Sequence, residues 1–75
     1  MRTEEEVLKD FEELGFDIIY TRQYAIELNN DNCTIRISKY SKWYRCYDKY
    51  NKLALPVTMQ EHKLLTELFQ IWNWL

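Results

Sequence analysis

Two copies of one short pattern bracket this chain and constrain everything between them. Thr3-Glu4-Glu5-Glu6 and Thr58-Met59-Gln60-Glu61 both read Thr-x-x-Glu. This is a capping box: the threonine hydroxyl accepts from the amide three residues on, and the glutamate reaches back. Each box opens a helix. After the first, Val7, Phe11 and Leu14 recur at helical spacing, and Leu8 widens their stripe. Its three carboxylates suit the positive end of a helix, and Gly15 supplies the left-handed residue that stops one. The pattern predicts a helix over 3–14. After the second box, Leu64, Leu65, Leu68, Ile71, Trp72 and Leu75 form a wide arc, extended by Phe69. An arc that wide is buried on more than one side. Pro56 stops the preceding segment. Trp74 points nearly opposite Leu65, which makes it a candidate exposed aromatic, the alternative being that it folds against a core containing Trp72 and Leu75.

The middle of the chain changes period. Cys33 to Ser38 alternates with Cys33, Ile35 and Ile37 on one face, and Tyr24 to Leu28 alternates too. Asn29-Asn30-Asp31-Asn32 between them is turn chemistry, because Asn and Asp tolerate positive φ. Trp43 to Asp48 reads as another strand. Phe16 to Thr21 is a further strand or half of a long bent one, leaving the sheet at three or four strands. Leu53-Ala54-Leu55 could add a short edge. Centring the turns on Asn30-Asp31 and Tyr40-Ser41 predicts an inward row of Ile26, Ile35 and Cys46, then a row of Tyr24, Ile37 and Tyr44. Glu27, Thr34, Arg36, Trp43, Arg45 and Tyr47 then face outward. The expected fold class is α+β: an antiparallel sheet with both terminal helices on one face, in α-β-β-β-α order.

With 75 residues the chain is one domain, 1–75, and 47% hydrophobic residues compensate for a small core. The acidic N-terminus has no apolar run, and no segment approaches the roughly 18 apolar residues of a membrane span. The expectation is a cytoplasmic protein with no membrane association. The net charge of −2 hides a split. Residues 1–17 sum to −5, residues 18–56 to +4 and residues 57–75 to −1. Such a split steers partners toward one surface.

The basic residues concentrate where aromatics do. Arg36, Lys39, Lys42, Arg45, Lys49 and Lys52 interleave with Tyr40, Trp43, Tyr44, Tyr47 and Tyr50. Cations attract phosphate and aromatic faces stack on bases, so Arg36, Lys39, Lys42, Trp43, Arg45, Tyr47, Lys49 and Lys52 form a candidate nucleic-acid-binding set. In this register Arg36 lies across from Arg45, and Trp43 and Tyr47 can stack on the guanidinium groups. The competing expectation is a protein-interaction module, a homodimer or a small inhibitor of a host protein, with a host or phage protein as the possible partner. It would use the acidic first helix and an interface of Trp72, Trp74 and Leu75. Enzyme chemistry is not expected. His62 is the one histidine, Cys33 and Cys46 have no CxxC spacing, and no glycine-rich loop exists to hold phosphate. No cofactor is implied.

The run from Thr58 to Leu75, with its Glu61-His62-Lys63-Leu64-Leu65 step and closing Trp72-Asn73-Trp74-Leu75, resembles the ending of small uncharacterised phage and prophage proteins of low-GC Gram-positive bacteria. The opening Glu5-Glu6-Val7-Leu8-Lys9-Asp10-Phe11-Glu12-Glu13-Leu14-Gly15-Phe16-Asp17 is similar in style. The resemblance implies an accessory protein in the bacterial cytoplasm that binds a host or phage macromolecule. The α-β-β-β-α order is also similar to the double-stranded-RNA-binding domain, which grips phosphates with lysines opening its last helix. The matching positions here read Met59-Gln60-Glu61-His62-Lys63.

Overall fold

A computed structural model of the chain describes residues 2–22, 25–52 and 56–75. Helix α1 (Glu4–Glu13) leads into strands β1 (Asp17–Thr21), β2 (Ala25–Asn29), β3 (Cys33–Ser38) and β4 (Trp43–Asp48), and helix α2 (Met59–Ile71) follows. The strands form one antiparallel sheet in the order β1-β2-β3-β4. Among the described residues the fold is therefore α-β-β-β-β-α, and the open question of three strands or four resolves to four. The expected edge at Leu53-Ala54-Leu55, and Tyr24 in the inward row, lie outside the described residues.

Both helices begin as their capping residues dictate. The Thr58 hydroxyl accepts from the Glu61 amide at 3.2 Å, and the Glu61 carboxylate accepts from the Thr58 amide at 2.6 Å. The first box is half of this. Thr3 accepts from the Glu6 amide at 3.2 Å, while the Glu6 carboxylate takes the Thr3 hydroxyl at 3.3 Å.

Both helices also end alike. The Phe16 amide donates to the Phe11 carbonyl, and the Gly15 amide to that of Glu12. At the other end of the chain the Trp74 amide donates to Phe69 and the Asn73 amide to Gln70. These paired bonds are the Schellman termination, which needs a left-handed residue after the cap. Gly15 sits at φ +95° and Asn73 at φ +61°. In each case an aromatic beyond the turn closes onto an aromatic one helical turn back. Phe16 meets Phe11 edge-on at 5.6 Å, and Trp74 stacks on Phe69 at 4.2 Å with the two rings nearly parallel.

That second termination decides between the two expectations for Trp74. The helix stops at Ile71, so helical angles do not place Trp74 or Leu75. Trp74 folds back half-buried against the core, whereas Leu75 leaves the expected arc and is 78% exposed.

Residues of both helices and the inner sheet face make one core. Val7, Leu8 and Phe11 of α1 and Leu64, Leu65 and Leu68 of α2 are buried with Phe16, Ile26, Leu28, Ile35, Ile37 and Cys46. The sheet register differs from expectation at one hairpin. Between β3 and β4 the pairs Ile35–Cys46, Ile37–Tyr44 and Arg36–Arg45 form as expected. Between β2 and β3, Ile26 pairs with Ile37 and Leu28 with Ile35, two residues away from the expected pairing of Ile26 with Ile35. The cause is Asn30. Its side-chain oxygen accepts from the amides of both Asn32 and Cys33 at 2.8 Å, and its own amide donates to the Cys33 carbonyl. With this Asx turn four residues, 30–33, separate the paired Asn29 and Thr34, where the expected tight hairpin leaves two. A slip of two preserves each residue's face, so the inward set survives.

Candidate binding face

The face of the sheet away from the helices follows from strand alternation. Its central row runs Ile19, Glu27, Arg36, Arg45. One flanking row runs Asp17, Asn29, Thr34, Tyr47, and the other Thr21, Ala25, Ser38, Trp43. No described element covers this face. Arg36 and Arg45 are exposed, as are Ile19 at 40% and Trp43 at 36%.

Arg36 and Arg45 are directly opposed across β3 and β4. Like charges so placed repel, and three contacts answer that repulsion. The Arg36 guanidinium lies 5.0 Å from the Tyr47 ring centre. The Arg45 guanidinium lies 5.0 Å from that of Trp43. Arg36 Nε also donates to Glu27 Oε1 at 2.8 Å, an ion pair whose hydrogen bond pushes the Arg36 pKa above its ordinary value. Arg45 makes no ion pair among the described residues. The two stacks diverge along β4, toward Trp43 at one end and Tyr47 at the other. They leave a central pair of cations flanked by two aromatic rings.

Glu27 at this position was not visible in the sequence, because the expected register set it across from Thr34. The two-residue slip brings it opposite Arg36. The Asn30 side chain was the available signal, since an Asx turn lengthens a loop.

The lysines divide. Lys42 lies in the β3–β4 turn at φ +52°, and its side chain is exposed. Lys49 follows β4, with its ammonium 5.1 Å from the Tyr50 ring centre. Lys52 lies in the same exposed segment, where Asp48 Oδ1 accepts from the amides of Tyr50 and Lys52. Lys39 separates from the set. Its ammonium bonds Glu4 Oε1 at 2.7 Å and lies 5.1 Å from the Trp72 ring centre. Trp72 Nε1 donates to the other oxygen of the same carboxylate at 3.0 Å. Lys39 therefore joins the start of α1 to the end of α2. The expected interface of Trp72, Trp74 and Leu75 divides as well. Trp72 and Trp74 are half-buried in a cluster with Phe69 and Tyr44, and only Leu75 projects.

The cysteines lie toward the helices. Cys33 and Cys46 are free thiols on diagonal positions of β3 and β4. Burial is the main cause that raises both pKa values, Cys46 to about 11. Among the described residues no three His, Cys, Asp or Glu side chains come together as a metal site. No helix among them is long and apolar enough to cross a membrane.

The geometry defines a small α+β domain with one helix-covered sheet face and one open face that mixes arginine and aromatic groups. No family model, curated protein or solved structure is detectably similar to the chain.

Proposed function

We propose that the protein binds single-stranded nucleic acid across the open face of its sheet. The observation that carries this reading is the pair of stacked units, Arg36–Tyr47 and Arg45–Trp43, on a surface that no described element covers. Arg45 is the anchor, being a cation without a carboxylate partner among the described residues. Lys42 and Lys49 flank the two ends of β4, where a backbone crossing the strand would pass. Trp43 and Tyr47 are four residues apart on one strand, about 13 Å, a gap that two or three unstacked nucleotides span. Each ring offers a platform worth about 1–3 kcal/mol per stacked base. A single strand suits this face better than a duplex, whose bases are not free to stack on side chains. The phage-type resemblance of the terminal helices is compatible with such an accessory role.

The test is a fluorescence-anisotropy titration with labelled single- and double-stranded DNA and RNA at low salt. The parent binds single strands more tightly than duplex. Arg45→Glu removes binding, and Trp43→Ala or Tyr47→Ala weakens it at least about fivefold. Lys39→Ala, on the helical side, leaves it unchanged. Absence of binding by the parent, or equal binding by Arg45→Glu, refutes the reading.

A further inference from the structure

The two edges of the sheet are unlike. β4, at one edge, carries Arg45 at its centre and is bracketed by Lys42 and Lys49. A second copy aligned there would set cation against cation, a common way of keeping an edge unpaired. β1, at the other edge, reads Asp17-Ile18-Ile19-Tyr20-Thr21. It has no lysine, arginine, proline or glycine, and Ile18, Ile19, Tyr20 and Thr21 have high strand propensity. Four of its five residues are exposed, Tyr20 at 68% and Ile19 at 40%. Its one charge, Asp17, stands at its end.

This strand is complementary to itself. An antiparallel pairing about a twofold axis through Ile19 keeps every residue on its own face of the sheet. Ile19 then meets Ile19 of the second copy, Ile18 meets Tyr20, and Asp17 meets Thr21. The apolar residues meet apolar residues on both faces. No like charges are directly opposed. Arg22 of the second copy, which turns the chain at φ +50°, lies one position beyond the Thr21 that faces Asp17. We infer that the β1 edge is a homodimerisation surface. Two copies join there into one continuous eight-stranded sheet. Both helical layers lie on one side and both open faces on the other. The outer edges of the dimer are the two β4 strands, blunted by Arg45. Assembly therefore stops at two, as an isologous contact requires. The contact is small and concentration-dependent, and salt favours it by screening the two acidic α1 helices from one another.

This inference is independent of nucleic-acid binding, and its test contains no nucleic acid. Light scattering on the purified chain, at about 0.5 M salt and up to about 1 mM protein, should show mass rising from that of the 9.3 kDa chain toward twice that value. Ile19→Lys places two ammonium groups across the axis and raises the dissociation constant at least about tenfold. Its far-UV circular dichroism matches the parent, because Ile19 is on the open face. The second measurement is cross-linking. Opposed residues in such a pair have Cα atoms about 4.5–5.5 Å apart, within disulfide range. Ile19→Cys in a Cys33→Ser/Cys46→Ser background cross-links under mild oxidation, and Glu27→Cys, on the neighbouring strand, does not. A parent that stays monomeric throughout overturns the inference. So does a dimer that Ile19→Lys leaves intact, or one in which Ile19→Cys fails to cross-link.

Discussion

Arg36 and Arg45 stand side by side, and each has a different answer to the other's charge. Arg36 has a carboxylate and a tyrosine ring, while among the described residues Arg45 has only the Trp43 ring. Exposed contacts of this kind are worth about 0.5–1 kcal/mol each, so losing one changes stability little. Binding chemistry and folding chemistry are thus separable at these residues. Cys46 is the opposite case, since burial holds its thiol neutral and raises its pKa to about 11 from 9.0. Raised in the folded state, this pKa adds stability that is complete below pH 9. That stability is lost as pH rises through the folded value. Urea midpoints measured across that window should fall further for the parent than for Cys46→Ala. The difference between the two curves is the readout. The same burial makes Cys46 slow toward an alkylating thiol reagent at neutral pH until the chain unfolds.

At the scale of elements, each helix is fixed by signals at its two ends. The start signals are local patterns in the sequence, and both were legible there. Gly15 was legible as a stop, but Asn73 was not, because Asn is a weaker mark of the left-handed turn than Gly. That one residue decides the fate of the C-terminus. By reversing the chain it closes Trp74 onto Phe69, and so Trp74 is not the free aromatic that helical angles suggest. A substitution series tests whether the two terminations are equivalent. A Cβ placed on Gly15 meets no atom within 4 Å, so the cost of Gly15→Ala is purely one of backbone conformation. It should be about 1–2 kcal/mol. Gly15→Asn, which copies the residue used at the other helix, should cost less. Asn73→Gly should be neutral or slightly stabilising. Chemical denaturation of the three variants gives the order, and a Gly15→Asn variant weaker than Gly15→Ala contradicts it.

Across the whole molecule, long-range ion pairs tie the helical layer together and the open face is largely spared them. Arg2 bonds Asp10 and reaches Glu67 of α2 at 2.8 Å, and Lys39 joins Glu4 beside Trp72. This division explains which parts of the candidate face were legible in the sequence. Arg36, Trp43, Arg45 and Tyr47 sit in strands, where alternation assigns a face, and they were grouped correctly. Lys39 sits in a turn, where alternation has no force, and its nearest carboxylate is 35 residues away in sequence. Salt separates the two layers experimentally. The pairs of the helical layer are partly exposed, each worth about 1 kcal/mol or less. Raising salt should therefore shift the unfolding free energy by about that amount at most. The proposed binding on the open face engages about four cations: Arg36, Lys42, Arg45 and Lys49. For a single strand that predicts a logarithmic slope near −3, or about a fiftyfold loss in affinity between about 50 and 200 mM salt. Arg45→Gln should make the slope shallower by about 0.7 and leave the denaturation curve in place. Lys39→Gln should do the reverse, lowering the midpoint with the slope intact. If both variants change the slope equally, the cations act as a diffuse cloud, and no assignment of binding to the sheet face survives.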